Sequence, residues 1–374
     1  MPLTAPPKYR LRYLALLLIA LSACSAQDNI LSATQPTFAS SSTLDSGSRA
    51  SYPLYVSNLN DPSKSDASVS VLTANGKRAL NTISLGSGID VSGMTADSNG
   101  HLYVATGAGR HFELTVYSDQ GAKLAQTIKR NFPLASLTLD KSGNLWASCA
   151  IYRVCMYASD AKKVLASKVS RQIDLGQYRL SPGFVAIDRS GNLAVGDKYN
   201  AYVFAPYSSA PFWKIATGGT QTSIAFDLQG NLYIASYVEQ SGAGTISVYS
   251  SGSSSPSRSI SIKDAWNITS MQFDASGNLY ALNPACTGCG PVTVSVIPPG
   301  ESSVSRMLQK GMGSFGEFVE MTVSEKGSVY VSGFGSDSVP GGLVMYDPGK
   351  NAPHAITQAI VNPYYLATGD PTGL

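Results

Sequence analysis

The sequence predicts an all-β ring: a single β-propeller of most simply seven four-stranded blades, spanning residues 52–374. Three observations carry this reading. A short turn unit, Asp-x-x-Gly, recurs at intervals of 39 to 50 residues. Each copy is flanked by apolar residues alternating with period two, the mark of half-buried strands. And the two ends of the domain hold complementary parts of one further copy.

Ahead of the domain, residues 1–23 have the layout of a secretory signal. Lys8, Arg10 and Arg12 precede a short apolar run from Leu14 to Leu21, followed by small residues. The run is too short to span a bilayer as a mature helix. Leu21-Ser22-Ala23-Cys24 resembles the lipobox of bacterial lipoproteins. That resemblance implies diacylglyceryl attachment at the Cys24 thiol, cleavage just before it, and acylation of the new N-terminus. Several acyl chains on one residue anchor stably, since each buried methylene adds about 0.8 kcal/mol. Ser25 in that context implies outer-membrane sorting if the envelope is Gram-negative. Residues 24–51, rich in Ser, Ala and Thr without an apolar period, read as the lipidated residue and a flexible tether.

Removing the signal changes the charge argument. The chain carries 27 Lys+Arg against 24 Asp+Glu, and the signal holds three of the basic residues and no acidic one. The remainder is balanced and has no basic run, which excludes nucleic acid as an expected partner.

The repeat itself runs TADSNGHLYVAT, TLDKSGNLWASC, AIDRSGNLAVGD, AFDLQGNLYIAS and QFDASGNLYALN, with a degenerate TVSEKGSVYVSG last. Asp97, Asp140, Asp188, Asp227, Asp274, Ser324 and Asp370 mark the copies, spaced 43, 48, 39, 47, 50 and 46 residues apart. The Asp side chain is suited to accept the turn's own backbone N–H groups, and the Gly supplies a positive φ. A third alternating run follows each hairpin, and a weaker fourth, such as residues 258–262, completes four antiparallel strands. No amphipathic helix follows the signal, which argues against α/β folds.

The ends close the ring. NPYYLATGDPTG repeats the first half of the unit, while Pro53-Leu54-Tyr55-Val56-Ser57 supplies the missing second strand. The closing blade is therefore expected to take its innermost strand from the C-terminal segment and the rest from residues 54–86. Closure removes the exposed sheet edges of a linear array. Over residues 52–373 the pattern resembles NHL-type repeats, and more loosely the streptogramin-lyase-like and gluconolactonase-like propellers. The resemblance implies architecture; the unit builds a turn and carries no activity.

Connections between second and third strands are expected on the face opposite the Asp-x-x-Gly turns, at residues 58–68, 107–113, 150–153, 197–201, 237–244, 283–291 and 333–341. They hold the candidate ligand-binding residues His111, Phe112, Tyr152, Asp197, Tyr199, Tyr237 and Glu239. A calcium cage there would need several carboxylates and amides. Asp197, Asn283 and Asn58 end second strands, but the positions near Thr106, Ser148, Ser236 and Ser332 lack carboxylates, so calcium is unsupported and no cofactor or metal is assigned. Of three histidines only His111 lies on that face, and no catalytic residue is assigned. Cys286 and Cys289, in a Pro- and Gly-rich stretch, read as a loop disulfide, with redox or metal roles as the alternatives. Cys149 and Cys155 flank a hairpin bend and read either as a bridge or as buried thiols.

The function expected is a membrane-anchored, exported binding or scaffolding module of the bacterial cell envelope, with a glycan, a peptide or an envelope protein as partner. The alternative is a metal-dependent hydrolase or lyase working at the channel mouth.

Overall fold

The computed structural model describes residues 52–58, 66–118, 121–178, 182–238, 243–262, 265, 267–284, 291–313, 319–333, 341–357, 360 and 363–368. Seven four-stranded antiparallel sheets form the blades of a β-propeller. Blade 1 contains β1 (Leu54–Asn58), β2 (Asp66–Leu72) and β3 (Ala79–Ser87). Blade 2 contains β4 (Asp90–Ala96), β5 (Leu102–Ala108), β6 (His111–Ser118) and β7 (Lys123–Arg130). Blade 3 follows with β8 (Leu134–Leu139), β9 (Leu145–Cys149) and β10 (Arg153–Tyr157). A small ribbon of β11 (Ser159–Asp160) and β12 (Val164–Leu165) interrupts it before its outer strand β13 (Arg171–Asp174).

Blade 4 has β14 (Phe184–Ile187), β15 (Leu193–Gly196), β16 (Asn200–Phe204) and β17 (Pro211–Ala216). Blade 5 has β18 (Thr220–Phe226), β19 (Leu232–Val238), β20 (Ala243–Tyr249) and β21 (Arg258–Ser261). Blade 6 has β22 (Ser270–Phe273), β23 (Leu279–Asn283), β24 (Thr293–Ile297) and β25 (Arg306–Leu308). Blade 7 has β26 (Val319–Val323), β27 (Val329–Gly333), β28 (Gly342–Tyr346) and β29 (Pro353–Thr357). The last strand, β30 (Pro363–Thr368), crosses back to pair with β1, Leu54 opposite Thr368 and Val56 opposite Leu366. The split blade read from the two ends is thus observed, and Tyr365 N–H donates to Ser57 Oγ at 2.8 Å to lock it.

The first strand of every blade is innermost, so β30, β4, β8, β14, β18, β22 and β26 line the axis, each beside the next. Alternate side chains point to opposite faces of a strand, so each blade buries one row against the blade before it and one against the blade after. The result is one apolar cluster per seam, seven in all. Polar bonds cross the seams near the axis. Ser92 Oγ donates to Leu134 O at 2.7 Å, and Gln272 Nε2 donates to Met321 O at 3.1 Å while its Oε1 accepts from Val323 N at 2.8 Å. Such bonds satisfy backbone groups that neighbouring innermost strands, too splayed to pair, leave open. Among the described residues no helix is long and apolar enough to cross a membrane.

Candidate functional site

The Asp-x-x-Gly turns occupy one face, and each is a closed hydrogen-bond unit. Asp274 Oδ1 accepts the backbone N–H groups of Ser276 and Asn278, both at 2.9 Å. Its Oδ2 accepts Asn278 Nδ2 at 2.8 Å and Tyr280 Oη at 3.1 Å. The same arrangement holds at Asp140 with Asn144 and Trp146. In blade 2 His101 stands where the others have Asn, and its Nδ1 lies 2.8 Å from Asp97 Oδ2, with Tyr103 Oη at 3.0 Å. Gly100, Gly143, Gly191, Gly230, Gly277 and Gly327 all have φ between 75° and 83°, as the turn requires. These carboxylates are saturated, so this face is built for folding.

A further layer of the same unit escapes the repeat as read from sequence. Arg258 lies across β20 from Tyr233, with Val248 between them, and its guanidinium donates to Tyr233 Oη at 2.7 Å. Burial, and then the Asp227 carboxylate, push the Tyr233 hydroxyl up to about 12. Arg306 opposite Val296 and Tyr280, and Arg171 opposite Met156 and Trp146, repeat the row. Arg171 stands 5.5 Å above the Trp146 ring. Around Asp227, Asn231, Tyr233 and Arg258 lies a cleft of about 350 Å³. The signal was present: each Arg falls 31 or 32 residues after the turn Asp.

The second-to-third-strand connections gather on the opposite face. His111 and Phe112 open strand β6 rather than lying in a loop, because the hairpin pairs out to Ala108 and His111. Gly107 permits it: a Cβ there would stand 3.0 Å from the Phe112 ring. His111 is exposed and Phe112 half-buried. In blade 3, Cys149 and Cys155 form a disulfide across the hairpin, with Cα atoms 5.8 Å apart. The bend between them places Ala150 at φ 57° and Tyr152 at φ 62°, a costly region for a side chain of that bulk. Tyr152 O also accepts Leu175 N–H at 2.7 Å. The clamped tip presents Ile151, 71% exposed, and Tyr152, 41% exposed.

In the neighbouring blade Asp197 Oδ1 caps its own bend, accepting the N–H groups of Tyr199 and Asn200, both at 2.8 Å. That bend lifts Tyr199 to 53% exposure, with Lys198 Nζ 5.2 Å from its ring. Tyr237 sits in the adjoining blade 5, opposite Thr220 on β18, and Gln221 beside Thr220 donates its N–H to Lys198 O at 2.8 Å. The described candidates thus stand on the adjoining blades 2 to 5. Glu239, Cys24, Cys286 and Cys289 lie outside the described residues.

At the channel mouth on the same face, the innermost strands β4, β8, β18 and β30 each carry a β-bulge in their first half. Bulges turn side chains out of register and concentrate beside functional sites. The one carboxyl group buried there among the described residues is Glu320 on β26, 8% exposed. Burial pushes its carboxyl up to about 8, a hydrogen bond from the Met321 backbone offsetting part of the shift. Tyr364 and Tyr365 on β30 lie close enough to feel its charge, and burial holds both hydroxyls above the usual phenol range.

No protein-family model and no curated protein matches the chain. Among solved structures it is similar to a Lactobacillus plantarum protein at 12% identity, covering 85% of this chain and 99% of that one, with a TM-score of 0.63. It is similar to dihydro-heme d1 dehydrogenase NirN at 14% identity, covering 91% and 80%, with a TM-score of 0.57. Hydrazine synthase of Kuenenia stuttgartiensis follows at 14% identity, covering 70% and 77%, with a TM-score of 0.56. At such identities the likeness shows the fold alone: a seven-bladed β-propeller, a scaffold shared by proteins of varied roles.

Proposed function

We propose that this chain is an exported, lipid-anchored propeller of the bacterial cell envelope that binds a glycan or peptide through the hairpins of blades 2 to 4. The observation that carries the binding role is the tip held by the Cys149–Cys155 disulfide, with Ile151 and Tyr152 exposed and Tyr199 displayed on the adjoining blade. Rigid aromatic tips offer large contact area at little entropic cost, because the loop is ordered before the partner arrives. The strained backbone at Tyr152 supports the same reading, since nothing in the blade's own packing uses that side chain's exposed position. The anchoring part of the proposal draws on Leu21-Ser22-Ala23-Cys24 and the Ser-rich segment after it.

One experiment addresses both parts. The native protein is extracted from membranes, its N-terminal peptide is weighed by mass spectrometry, and its binding is screened on glycan and peptide arrays. An acylated Cys24 and an array signal lost in an Ile151→Ala, Tyr152→Ala, Tyr199→Ala triple variant are expected. A signal unchanged in that variant, or a mature chain retaining residues 1–23, would overturn the corresponding half. Lactone or lyase turnover abolished by Asp197→Ala would replace the binding role with the enzymatic one.

A further inference from the structure

We infer that the seam between blades 7 and 1 holds a site for a primary ammonium group at the channel mouth, formed by Glu320, Ser332 and Asn58. This site lies on different blades from the hairpin surface and stands independently of it. Its geometry follows from strand register. Val319, Met321 and Val323 pack into the cluster facing blade 6, so Glu320, between them on β26, points the other way, toward blade 1. Ser332 on β27 is its direct cross-strand partner, which sets their Cβ atoms on one face about 5 Å apart. Strand β30 lies against both β26 and β27. Asn58 ends β1 opposite Pro363 of β30, on the face whose Leu54 and Val56 pack with Tyr330 and Leu343 of blade 7.

Four enclosed oxygens on this seam have no hydrogen-bond partner among the described residues: Glu320 Oε1, Ser332 Oγ and Asn58 Oδ1 at its mouth, and Thr322 Oγ1 two residues deeper on β26. Enclosed polar atoms are paired in the great majority of cases, and each exception calls for a cause. The Asn58 amide Nδ2 donates to Ser70 Oγ at 2.9 Å and to Ser68 Oγ at 3.2 Å, and in this arrangement its carbonyl oxygen is left on the seam side. The three atoms at the mouth come from three strands, and all of them accept.

An ammonium group matches this set. It has three N–H donors and no acceptor, and its charge answers a carboxylate that burial otherwise keeps protonated. Nearby, a β-bulge in β30 opposite Val56 and Asn58 accompanies the edge-to-face pair of Tyr364 and Tyr365, 4.6 Å between centroids, whose rings pack against the cluster facing blade 2. A neutral hydroxyl ligand brings no charge to pair with an ionised Glu320 and so lacks the gain that favours the ammonium. A hard metal ion calls for more carboxylates, and no group of three acidic, His or Cys ligands occurs among the described residues.

The test is calorimetric titration of the full chain at neutral pH with n-butylammonium chloride, with n-butanol and calcium chloride as separate arms. Saturable binding of the ammonium alone is expected, weakened at least about tenfold by Glu320→Gln and less by Ser332→Ala. Both substitutions preserve shape or reduce it by one atom, and thermal melting confirms that each variant is folded. Equal binding of butanol, binding of calcium in place of the amine, retained affinity in folded Glu320→Gln, or no saturation by the wild-type chain would each overturn the assignment.

Discussion

Glu320 shows how a single side chain can set a property of the whole protein. Its carboxyl titrates near 8 in the fold against an ordinary value of 4.5, so the folded state holds a proton that the unfolded chain has released. The stabilising effect of the neutral group is complete below pH 4.5 and is lost as pH rises toward 8, at up to about 1.4 kcal/mol per pH unit. Glu320→Gln has no such proton to lose. Thermal melts of the two proteins are therefore expected to agree near pH 5 and to separate by pH 8, with the Gln variant the more stable; parallel curves would show that the carboxyl is not held neutral. The sequence did not mark this residue, because a lone Glu in a degenerate repeat looks like any solvated acid. Only the side of β26 that faces blade 1, known once the ring is assembled, distinguishes it. Asp274 is the opposite case. Its place four residues before Asn278 and six before Tyr280 is written in the repeat, and all three side chains meet as that spacing requires.

At the scale of the element, hairpins between alternating strands were legible and rows reaching the short fourth strands were not. Turn, second strand and third strand recur within a nearly constant span, so period-two alternation placed them. Arg171, Arg258 and Arg306 keep a near-constant distance from the turn Asp, but they lie on fourth strands too short to show alternation, and their contact with the turn's aromatic residue emerges only from cross-strand register. The ribbon of β11 and β12 was likewise invisible, being two residues wide on each side. The β9–β10 hairpin gives a direct test of how its tip is held. Its cysteines are six apart in sequence, a short loop for which removing the cross-link is expected to cost only about 2 kcal/mol. A Cys149→Ala, Cys155→Ala variant should therefore stay folded while amide exchange at Ile151 and Tyr152 accelerates sharply. Unchanged exchange there would mean that the Tyr152 bond to Leu175, rather than the disulfide, fixes the tip.

For the whole molecule, closure decides stability. The two ends of the domain could be matched from sequence because each carried half of a unit whose other half was missing, and β1 indeed lies between β2 and β30. Removing residues 363–374 exposes the edge of β1, opens the axis beside β26 and takes Tyr365 and Ala367 out of one apolar seam and Leu366 out of another. The expected result is loss of the single cooperative thermal transition in calorimetry; a truncated chain melting at an unchanged temperature would show that the remaining blades suffice. The same closure has a consequence in time. Tyr365 and its partner Ser57 are 308 residues apart, so at about 5–20 residues per second a nascent chain holds β1 for roughly 15–60 s before its mate leaves the ribosome. Through that interval β1 is an unclaimed template for strands of other chains, and a translation stall ahead of residue 363 would make the exposure permanent.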